Sequence, residues 1–304
     1  MEQLLAIALV VGVVVAAALF FMGGGKKKFL DKSRQKLKLG KITKITHDTT
    51  KFTFDLPSPS MSLGLPLGKH VKIFAPNMTG VEAGKWNGRD DPEADVDEIQ
   101  RSYTPTSSEE DTGRVDLVLK VYKGGVVDRF PDGGKMSQYF GGLKVGDEVA
   151  ISGPVGMTEY LGGGKWLHGR REISASAVGM MAGGTGITPM YQILQVALKD
   201  PKDKTTFSLL FANQTPDDIL IKAELDALAK KYPARFSVHY TVDRAPKGWA
   251  GSTGFISAEM IEAHLPAASP KTLVVMCGPP PMIKFACKQN LDKLGYDKKL
   301  QLAF

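Results

Sequence analysis

The chain has 304 residues, and 43% of them are hydrophobic, which is enough to bury a core and to form two domains. The formal net charge of +7 fits an acidic partner or an anionic membrane surface. The basic residues are scattered, and no cluster of them with aromatic residues indicates a nucleic-acid interface. The two cysteines, Cys277 and Cys287, are too few for a disulfide framework and favour a reducing compartment.

The N-terminal segment is predicted to be a membrane anchor. Residues 4–22 carry no charge, and as a helix they would extend about 28 Å, close to the thickness of the apolar layer of a bilayer. Lysines follow this run at 26–28, which distinguishes it from a cleaved signal peptide and places the remaining chain in the cytosol. A buried core helix is the alternative. We expect an anchor over residues 1–25 and a basic linker over residues 26–36.

The next part of the chain, residues 37–160, is predicted to be an antiparallel barrel or sandwich. Short runs such as 51–56 and 115–122 alternate apolar and polar residues and are separated by glycine and proline. Residues 77–100 interrupt this pattern with seven acidic side chains and few apolar ones. They are predicted to form a long mobile surface loop, with a docking patch as the alternative.

The last part of the chain alternates strand-like and helix-like segments. Residues 161–175 are rich in glycine and basic residues and are predicted to link the two parts. Apolar runs then recur with helical segments between them over residues 176–304, which indicates a doubly wound parallel sheet with helices on its faces.

Two motifs are expected at the carboxyl ends of strands in that sheet, where ligands of open parallel sheets bind. Residues 181–189, MAGGTGITP, have glycines that allow close approach of a phosphate or ring, and Thr188 with Pro189 is predicted to cap and begin a helix. A tight turn is the alternative. Residues 276–282, MCGPPPM, place Cys277 at a strand end before a stiff turn, although a buried filler cysteine is the alternative.

Two further motifs lie in the first part of the chain. In RSYTPTS, residues 101–107, Arg101 and Tyr103 share one face of a strand, where a guanidinium can clamp phosphate and a phenol ring can stack. In GGKMSQYF, residues 133–140, glycines lead into a helix start beside Lys135, which suits a pyrophosphate. A dinucleotide is a ligand with both features, a diphosphate and an aromatic ring system.

The four motifs, in this order, resemble those of the NADH–cytochrome b5 reductase family of ferredoxin-reductase-like flavoproteins. The resemblance covers residues 37–304 and includes 211–215, 240–246 and Phe304. It implies a six-stranded antiparallel β-barrel that binds FAD, followed by a doubly wound α/β domain that binds NADH as the substrate. It also implies an acidic haem protein, cytochrome b5, as the electron acceptor, and an anchor in the endoplasmic reticulum or the mitochondrial outer membrane.

The resemblance also implies roles for individual residues on the FAD side. Arg101 would bind the diphosphate, Tyr103 would lie against the flavin or its ribityl chain, and Thr104 would hydrogen-bond near flavin N5. The full set for FAD is Arg101, Ser102, Tyr103, Thr104, Val118, Lys120, Tyr122, Gly133, Gly134, Lys135, Met136, Ser137 and Thr188.

On the NADH side, the resemblance implies that Lys120 positions the nucleotide and that Cys277 lies beside the nicotinamide without acting as a nucleophile. Asp243 would contact the adenine-side ribose and repel the 2′-phosphate of NADPH. The full set for NADH is Lys120, Gly183, Gly184, Thr185, Gly186, Asp243, Cys277, Gly278, Pro279, Met282 and Phe304. Thr104, Thr188 and Cys277 are the catalytic candidates, and no metal is expected.

Two other functions remain open. One is a related membrane-anchored flavin reductase that uses NADPH or passes electrons to another haem or iron acceptor. The other is a membrane-tethered binding module that keeps the motifs without turnover.

Overall fold

The structure is a computed structural model that describes residues 27–126, 128 and 130–304. The predicted anchor, residues 1–25, and the first residue of the predicted basic linker lie outside this range. Among the described residues, no helix has both the length and the apolar character needed to cross a bilayer.

The first domain is built on a six-stranded antiparallel sheet in the order β6-β3-β8-β1-β2-β7. Alternate residues of its strands, such as Phe52, Phe54 and Ile73, pack into one apolar core because side chains two apart share a face. The edge strands β6 and β7 are joined beyond β6, where Thr106 N donates to Asp116 O at 2.9 Å. The antiparallel prediction is therefore correct, while closure into a barrel stays a prediction. The strands are β1 (Gln35–Lys44), β2 (Thr49–Asp55), β3 (His70–Pro76), β6 (Glu98–Tyr103), β7 (Arg114–Lys120) and β8 (Glu148–Val155).

Two smaller elements complete the first domain. The hairpin strands β4 (Lys85–Trp86) and β5 (Arg89–Asp90) lie within the acidic segment, residues 77–100. Helix α1 (Lys135–Gly142) directs Phe140 into the core, where its ring centroid lies 5.2 Å from that of Phe52.

The predicted linker, residues 161–175, has regular secondary structure of its own. It contributes to a three-stranded antiparallel sheet of β9 (Thr158–Gly162), β10 (Lys165–His168) and β11 (Arg171–Ser174). Gly164, which joins two of these strands, has φ +73°, a conformation that favours glycine. Trp166 is fully buried in the core of the second domain. The glycines and charges of this segment therefore serve tight turns and exposed faces rather than a flexible connection.

The second domain contains the predicted sheet, with strands in the order β15-β14-β13-β12-β16-β17 and parallel pairing throughout. Its apolar strands are covered by helices, which confirms the predicted architecture. The strands are β12 (Ala177–Gly183), β13 (Thr206–Asn213), β14 (Phe236–Val242), β15 (Ser252–Thr253), β16 (Thr272–Cys277) and β17 (Gln301–Ala303). The α-helices are α2 (Ile187–Ala197), α3 (Lys222–Lys231), α4 (Ala258–His264) and α5 (Gln289–Lys293), the last preceded by a π-helical segment, Met282–Lys288.

The two domains share an extensive boundary along β7. Leu117 and Leu119 point into the first core, whereas Val118, one position away, packs with the core of the second domain. Gln192 and Gln195 of α2 reach across this boundary. The Gln192 side chain accepts a hydrogen bond from Gly68 N at 2.8 Å, and that of Gln195 donates to Thr106 O at 2.8 Å.

Lys120 at the end of β7 forms an ionic contact between the domains. Its Nζ lies 3.0 Å from Asp48 of the first domain and 2.5 Å from Asp218 of the second, and the lysine is only 7% exposed. Burial raises the pKa of both carboxyls. Hydrogen bonds from Lys120 and from neighbouring threonines outweigh this effect and hold both pKa values below the usual range. Both acids are therefore ionised at neutral pH.

We predict that Lys120→Ala lowers the free energy of unfolding at neutral pH by about 2 kcal/mol, less than for a fully buried pair because the two carboxylates are partly exposed. Urea unfolding of the full chain measures this change. The exposed pair Lys222–Asp226 gives the control Lys222→Ala, for which a loss below about 0.5 kcal/mol is expected. Because the carboxyl pKa values are depressed in the fold, the Lys120 contribution should disappear as pH falls through them, below about pH 4. Equal losses for the two variants would contradict the buried ionic contact.

Candidate cofactor site between the domains

Strand β6 presents Arg101 and Tyr103 on one face, as the alternation predicts. Both side chains are half-buried, whereas Ser102 between them is exposed on the opposite face. The Tyr103 ring packs edge-on against Phe140 with centroids 5.4 Å apart, and desolvation raises the pKa of Tyr103 far above its usual value. A cation and a protonated, fixed phenol ring therefore lie side by side. Thr104 is half-buried where the chain leaves β6.

The start of α1 lies against the same region. Gly134 N donates to Tyr122 O at 3.0 Å, and Ser137 Oγ accepts from Tyr122 N at 3.1 Å, so the loop and the helix hold each other. No side chain caps this helix, and the first amides of any helix lack acceptors within it. Such a terminus favours an anionic group. Met136 is buried in the core, and Gly133 directly precedes the cap.

The acidic segment is folded onto this helix start, which corrects the expectation of a free surface loop. Trp86 Nε1 and Asn87 Nδ2 both donate to Gly133 O, at 3.0 and 2.9 Å. Glu93 accepts two hydrogen bonds from the Arg101 guanidinium at 2.6 Å each, and Asp91 accepts one from Lys135 Nζ at 2.6 Å. Sequence reasoning missed these contacts, although the Asn-Gly step at 87–88 is a hairpin signal.

The remaining first-domain residues lie along β7 and just beyond it. Val118 and Lys120 face the second domain, and the Tyr122 side chain is exposed. Among the described residues, His47, Asp48 and Asp218 could together face a metal ion. The ammonium of Lys120 already bonds to both carboxylates and supplies positive charge there.

At the end of β12, two glycines allow two loops to pack closely. A Cβ at Gly183 would lie less than 3.0 Å from the Met282 sulfur, and one at Gly186 less than 3.0 Å from Cys277 O. A Cβ added at Gly184, between these two glycines, would have no other atom within 4 Å. The next residue, Thr185, is exposed. The loop is thus tightly packed on one side and open on the other, where a flat ring or a phosphate can approach.

Thr188 does not cap a helix, contrary to the prediction. Helix α2 begins at Ile187 after a 3₁₀ turn, Gly184–Gly186, and Gly186 occupies the cap position. Thr188 therefore lies in the first turn, is 9% exposed, and donates its hydroxyl to Thr185 O at 3.2 Å. Its side chain steadies the glycine loop.

Cys277 ends β16 beside the glycine loop, since it pairs with Ala182 of β12. It is half-buried, and burial raises the pKa of its thiol to about 11, so the neutral thiol is present at physiological pH. Gly278 and the exposed Pro279 continue the turn towards Met282. Phe304 N donates to Met276 O at 2.9 Å, and its ring reaches Gly68 of the first domain.

Asp243 lies at the same edge of the sheet. It directly follows β14, its backbone N–H donates to Asn213 O at 3.0 Å, and its carboxylate is exposed. The carboxyl ends of β12, β14 and β16 thus carry the glycine loop, a free acidic group and a neutral thiol along one edge, as the sequence predicts for a ligand site.

The two sets of residues fit a bound dinucleotide cofactor and a second nucleotide. The first domain offers an uncapped helix start, two cations and a fixed phenol ring. The second offers open backbone at Gly184 and Thr185. The start of α1 bonds to Tyr122, two residues from Lys120, which contacts Asp218 of the second domain. The glycine loop leads into α2, whose Gln192 accepts a hydrogen bond from Gly68 of the first domain.

Comparisons with known proteins match both halves of the chain. Residues 36–85 and 91–160 match the family model of the oxidoreductase FAD-binding domain, and residues 180–288 match that of the oxidoreductase NAD-binding domain. NADH-cytochrome b5 reductase 2 of Gallus gallus is 47% identical over 267 residues, which cover 86% of this chain and 82% of that protein. NADH-cytochrome b5 reductase 1 of Homo sapiens is 45% identical over 268 residues, with the same two coverages.

A similar fold is found among solved structures. The crystal structure of the cytochrome b5 reductase domain of Ulva prolifera nitrate reductase superimposes with a TM-score of 0.81 at 42% identity. The match covers 91% of this chain and 100% of that one.

We predict that Cys277 is a poor nucleophile at neutral pH. Because its pKa is raised to about 11, its alkylation by iodoacetamide should increase about tenfold per pH unit between about pH 7 and about pH 9 without levelling off. Mass spectrometry of the labelled peptides measures both cysteines at once. Cys287, which is fully buried and has a pKa raised to about 12, is the internal control and should react more slowly. A plateau near pH 8.5 would indicate an ordinary exposed thiol instead.

Proposed function

The chain belongs to the NADH–cytochrome b5 reductase family, and we propose that it is an FAD-dependent reductase that takes a hydride from NADH and passes single electrons to cytochrome b5. The observation that carries this proposal is that each domain presents one of two matched sets of residues close to the boundary between the domains. Arg101, Tyr103 and the start of α1 lie on one side, and the glycine loop with Cys277 lies on the other.

On the first-domain side, the chain's task is to hold FAD. Arg101 provides a fork of N–H donors for a diphosphate, and the uncapped amides of Lys135, Met136 and Ser137 provide more. The fixed ring of Tyr103 provides a surface for stacking. When bound, FAD accepts a hydride and then releases electrons one at a time.

On the second-domain side, the chain's task is to place NADH. Gly184 and Thr185 leave backbone open to the nucleotide, and the hydroxyl of Thr188 fixes the loop that carries them. Cys277 presents a neutral thiol that adds no charge beside a flat ring. Since holding two reactants in the right orientation supplies a large part of a rate enhancement, these residues act mainly by positioning.

Several finer assignments belong to this proposal. Domain limits of 37–160 and 176–304 are supported by the antiparallel six-stranded sheet of the first range and the parallel sheet of the second. A closed barrel in the first domain is supported by the hydrogen bond from Thr106, just beyond the edge strand β6, to Asp116 of the other edge strand, β7. A membrane anchor over residues 1–25 is supported by the uncharged run 4–22 and the lysines after it. Its location in the endoplasmic reticulum or the mitochondrial outer membrane rests on the family resemblance alone.

Purified protein should carry flavin absorbance, lose it on anaerobic addition of NADH, and recover it when oxidised cytochrome b5 is mixed in. A stopped-flow spectrometer follows both half-reactions. Protein that binds no flavin, or that NADH leaves oxidised, would contradict the proposed function.

The matched pair of variants for this experiment is Arg101→Ala and Arg34→Ala. Both arginines lie in or next to the first domain and bond to a glutamate of the acidic segment, Arg101 to Glu93 and Arg34 to Glu98. Only Arg101 lies beside α1, so flavin content should fall for Arg101→Ala and stay unchanged for Arg34→Ala. Equal flavin content in the two variants would refute the role of Arg101.

We predict that Asp243→Ala weakens the preference for NADH over NADPH. The exposed carboxylate lies at the ligand edge of the sheet, and its removal takes away repulsion of a 2′-phosphate. The ratio of kcat/KM for the two nucleotides should shift towards NADPH by about tenfold, or about 1.4 kcal/mol. Glu262→Ala, an exposed acid on α4, is the control and should leave the ratio unchanged. An unchanged ratio for Asp243→Ala would remove the assigned role.

A further inference from the structure

The acidic segment, residues 77–100, occupies the two cations that a diphosphate would need. Glu93 engages both terminal nitrogens of the Arg101 guanidinium at 2.6 Å. Asp91 lies 2.6 Å from Lys135 Nζ, and Glu93 lies 3.7 Å from the same atom. Asp91 and Glu93 thus hold Arg101 and Lys135 in a closed ionic network of four charges that sum to zero.

Most N–H donors of Lys135 and Arg101 already bond to acceptors within the protein. Lys135 Nζ also donates to Asn77 Oδ1 at 2.9 Å, and its side chain is only 3% exposed. Arg101 gives its bidentate face to Glu93 and a further bond to Gln100 O at 2.8 Å. An ammonium has three donors, and a carboxylate fills the fork of a guanidinium as a phosphate does. A diphosphate at these groups would therefore have to replace the carboxylates.

The carboxylates are fully charged competitors at neutral pH. A hydrogen bond from Lys135 lowers the pKa of Asp91, and hydrogen bonds from Arg101 lower that of Glu93. A diphosphate added beside them would meet two like charges in a partly desolvated place, which is unfavourable.

Contacts other than the ion pairs with Arg101 and Lys135 also hold the acidic segment in place. Asp132 accepts a hydrogen bond from Val81 N at 2.7 Å and donates its own N–H to Asn87 Oδ1 at 2.8 Å. Trp86 lies over Lys135, with 5.0 Å from Nζ to the ring centroid. The match to the FAD-binding family model leaves out residues 86–90, the tip of this segment.

We propose that the acidic segment is an internal competitor for the diphosphate of FAD, in which Asp91 and Glu93 must leave Lys135 and Arg101 before the cofactor can bind there. This inference rests on the proposed function. The apparent affinity for FAD is then reduced by the fraction of molecules in which the segment is open. FAD retention in this chain is set by the charge of its own segment as well as by the groups that hold the cofactor.

The test is FAD binding to the flavin-depleted full-length chain in detergent, followed by the fluorescence of the flavin. The double variant Asp91→Asn/Glu93→Gln keeps the size of both side chains and removes their charge. We expect it to bind FAD about tenfold more tightly than the wild type. Asp95→Asn/Asp97→Asn changes the net charge equally through exposed acids of the same segment, and it should bind FAD as the wild type does.

The outcomes separate the two proposals. If neither the wild type nor the double variant binds FAD, the proposed function is refuted, and so is the proposal that the segment competes with FAD. If the wild type binds FAD and the double variant binds equally or more weakly, the carboxylates do not compete, and only the present inference is overturned. A similar gain in both double variants would indicate general attraction and would also overturn it.

A second measurement uses the wild-type fold alone. Trypsin can cleave after Lys85 and Arg89 in the β4–β5 hairpin, and mass spectrometry can follow both cuts. Release of the segment by FAD should speed these cuts relative to the cut after Lys247, which lies in an exposed loop of the second domain. Cuts that FAD slows or leaves unchanged would show that the segment stays in place, contrary to the proposal.

Discussion

The double burial of β7 is the constraint on which the rest of the molecule depends. A strand in a one-sided sheet alternates between core and solvent, but here Leu117 and Leu119 fill one core while Val118 and Lys120 face the other domain. The second domain therefore acts as the solvent-excluding layer for the first. The start of α1 and the helix after the glycine loop both contact this boundary, through Tyr122 and Gln192, so the contacts that hold the domains together also position the two proposed sites.

The second constraint is the close packing of the two loops at the edge of the parallel sheet. The glycine loop after β12 and the turn after β16 touch where a side chain at Gly183 or Gly186 would not fit. This packing brings the backbone of Cys277 against Gly186, at the end of the loop that contains Gly184. Burial then keeps that thiol protonated, so the arrangement supplies a soft, uncharged surface rather than a nucleophile.

The sequence was informative wherever a local rule decided the outcome. Alternation placed Arg101 and Tyr103 on one face of a strand, and the strand–helix rhythm predicted the parallel sheet with its ligand edge. Sequence-based prediction failed where contacts between residues far apart in the chain determine the structure. The burial of Trp166 in the second domain was not visible in residues 161–175, which were predicted only to link the domains. Gly186 rather than Thr188 caps α2 because a 3₁₀ turn comes first. Which residues hold FAD and NADH was inferred from family resemblance, and those assignments stay predictions.

The acidic segment shows the same limit most clearly. Its composition is that of a solvated loop, and the rule for such composition is correct on average. Lys135 and Asp132, which bond to the segment, lie more than forty residues away along the chain from the residues that they contact. No periodicity in the sequence indicates these contacts. The signals present in the local sequence were the Asn-Gly step at 87–88 and the short spacing between Glu93 and Arg101.

Trp86 has an experimental use that follows from its position. The chain has three tryptophans, and the other two, Trp166 and Trp249, pack in the second domain. Trp86 alone lies next to a buried ammonium, 5.0 Å from Lys135 Nζ, and it is only half-buried. Indole emission responds to nearby charge and to water. The protein thus contains an intrinsic optical reporter at the start of α1, where the proposed FAD site lies, and single-tryptophan derivatives would reveal motion there without any attached dye.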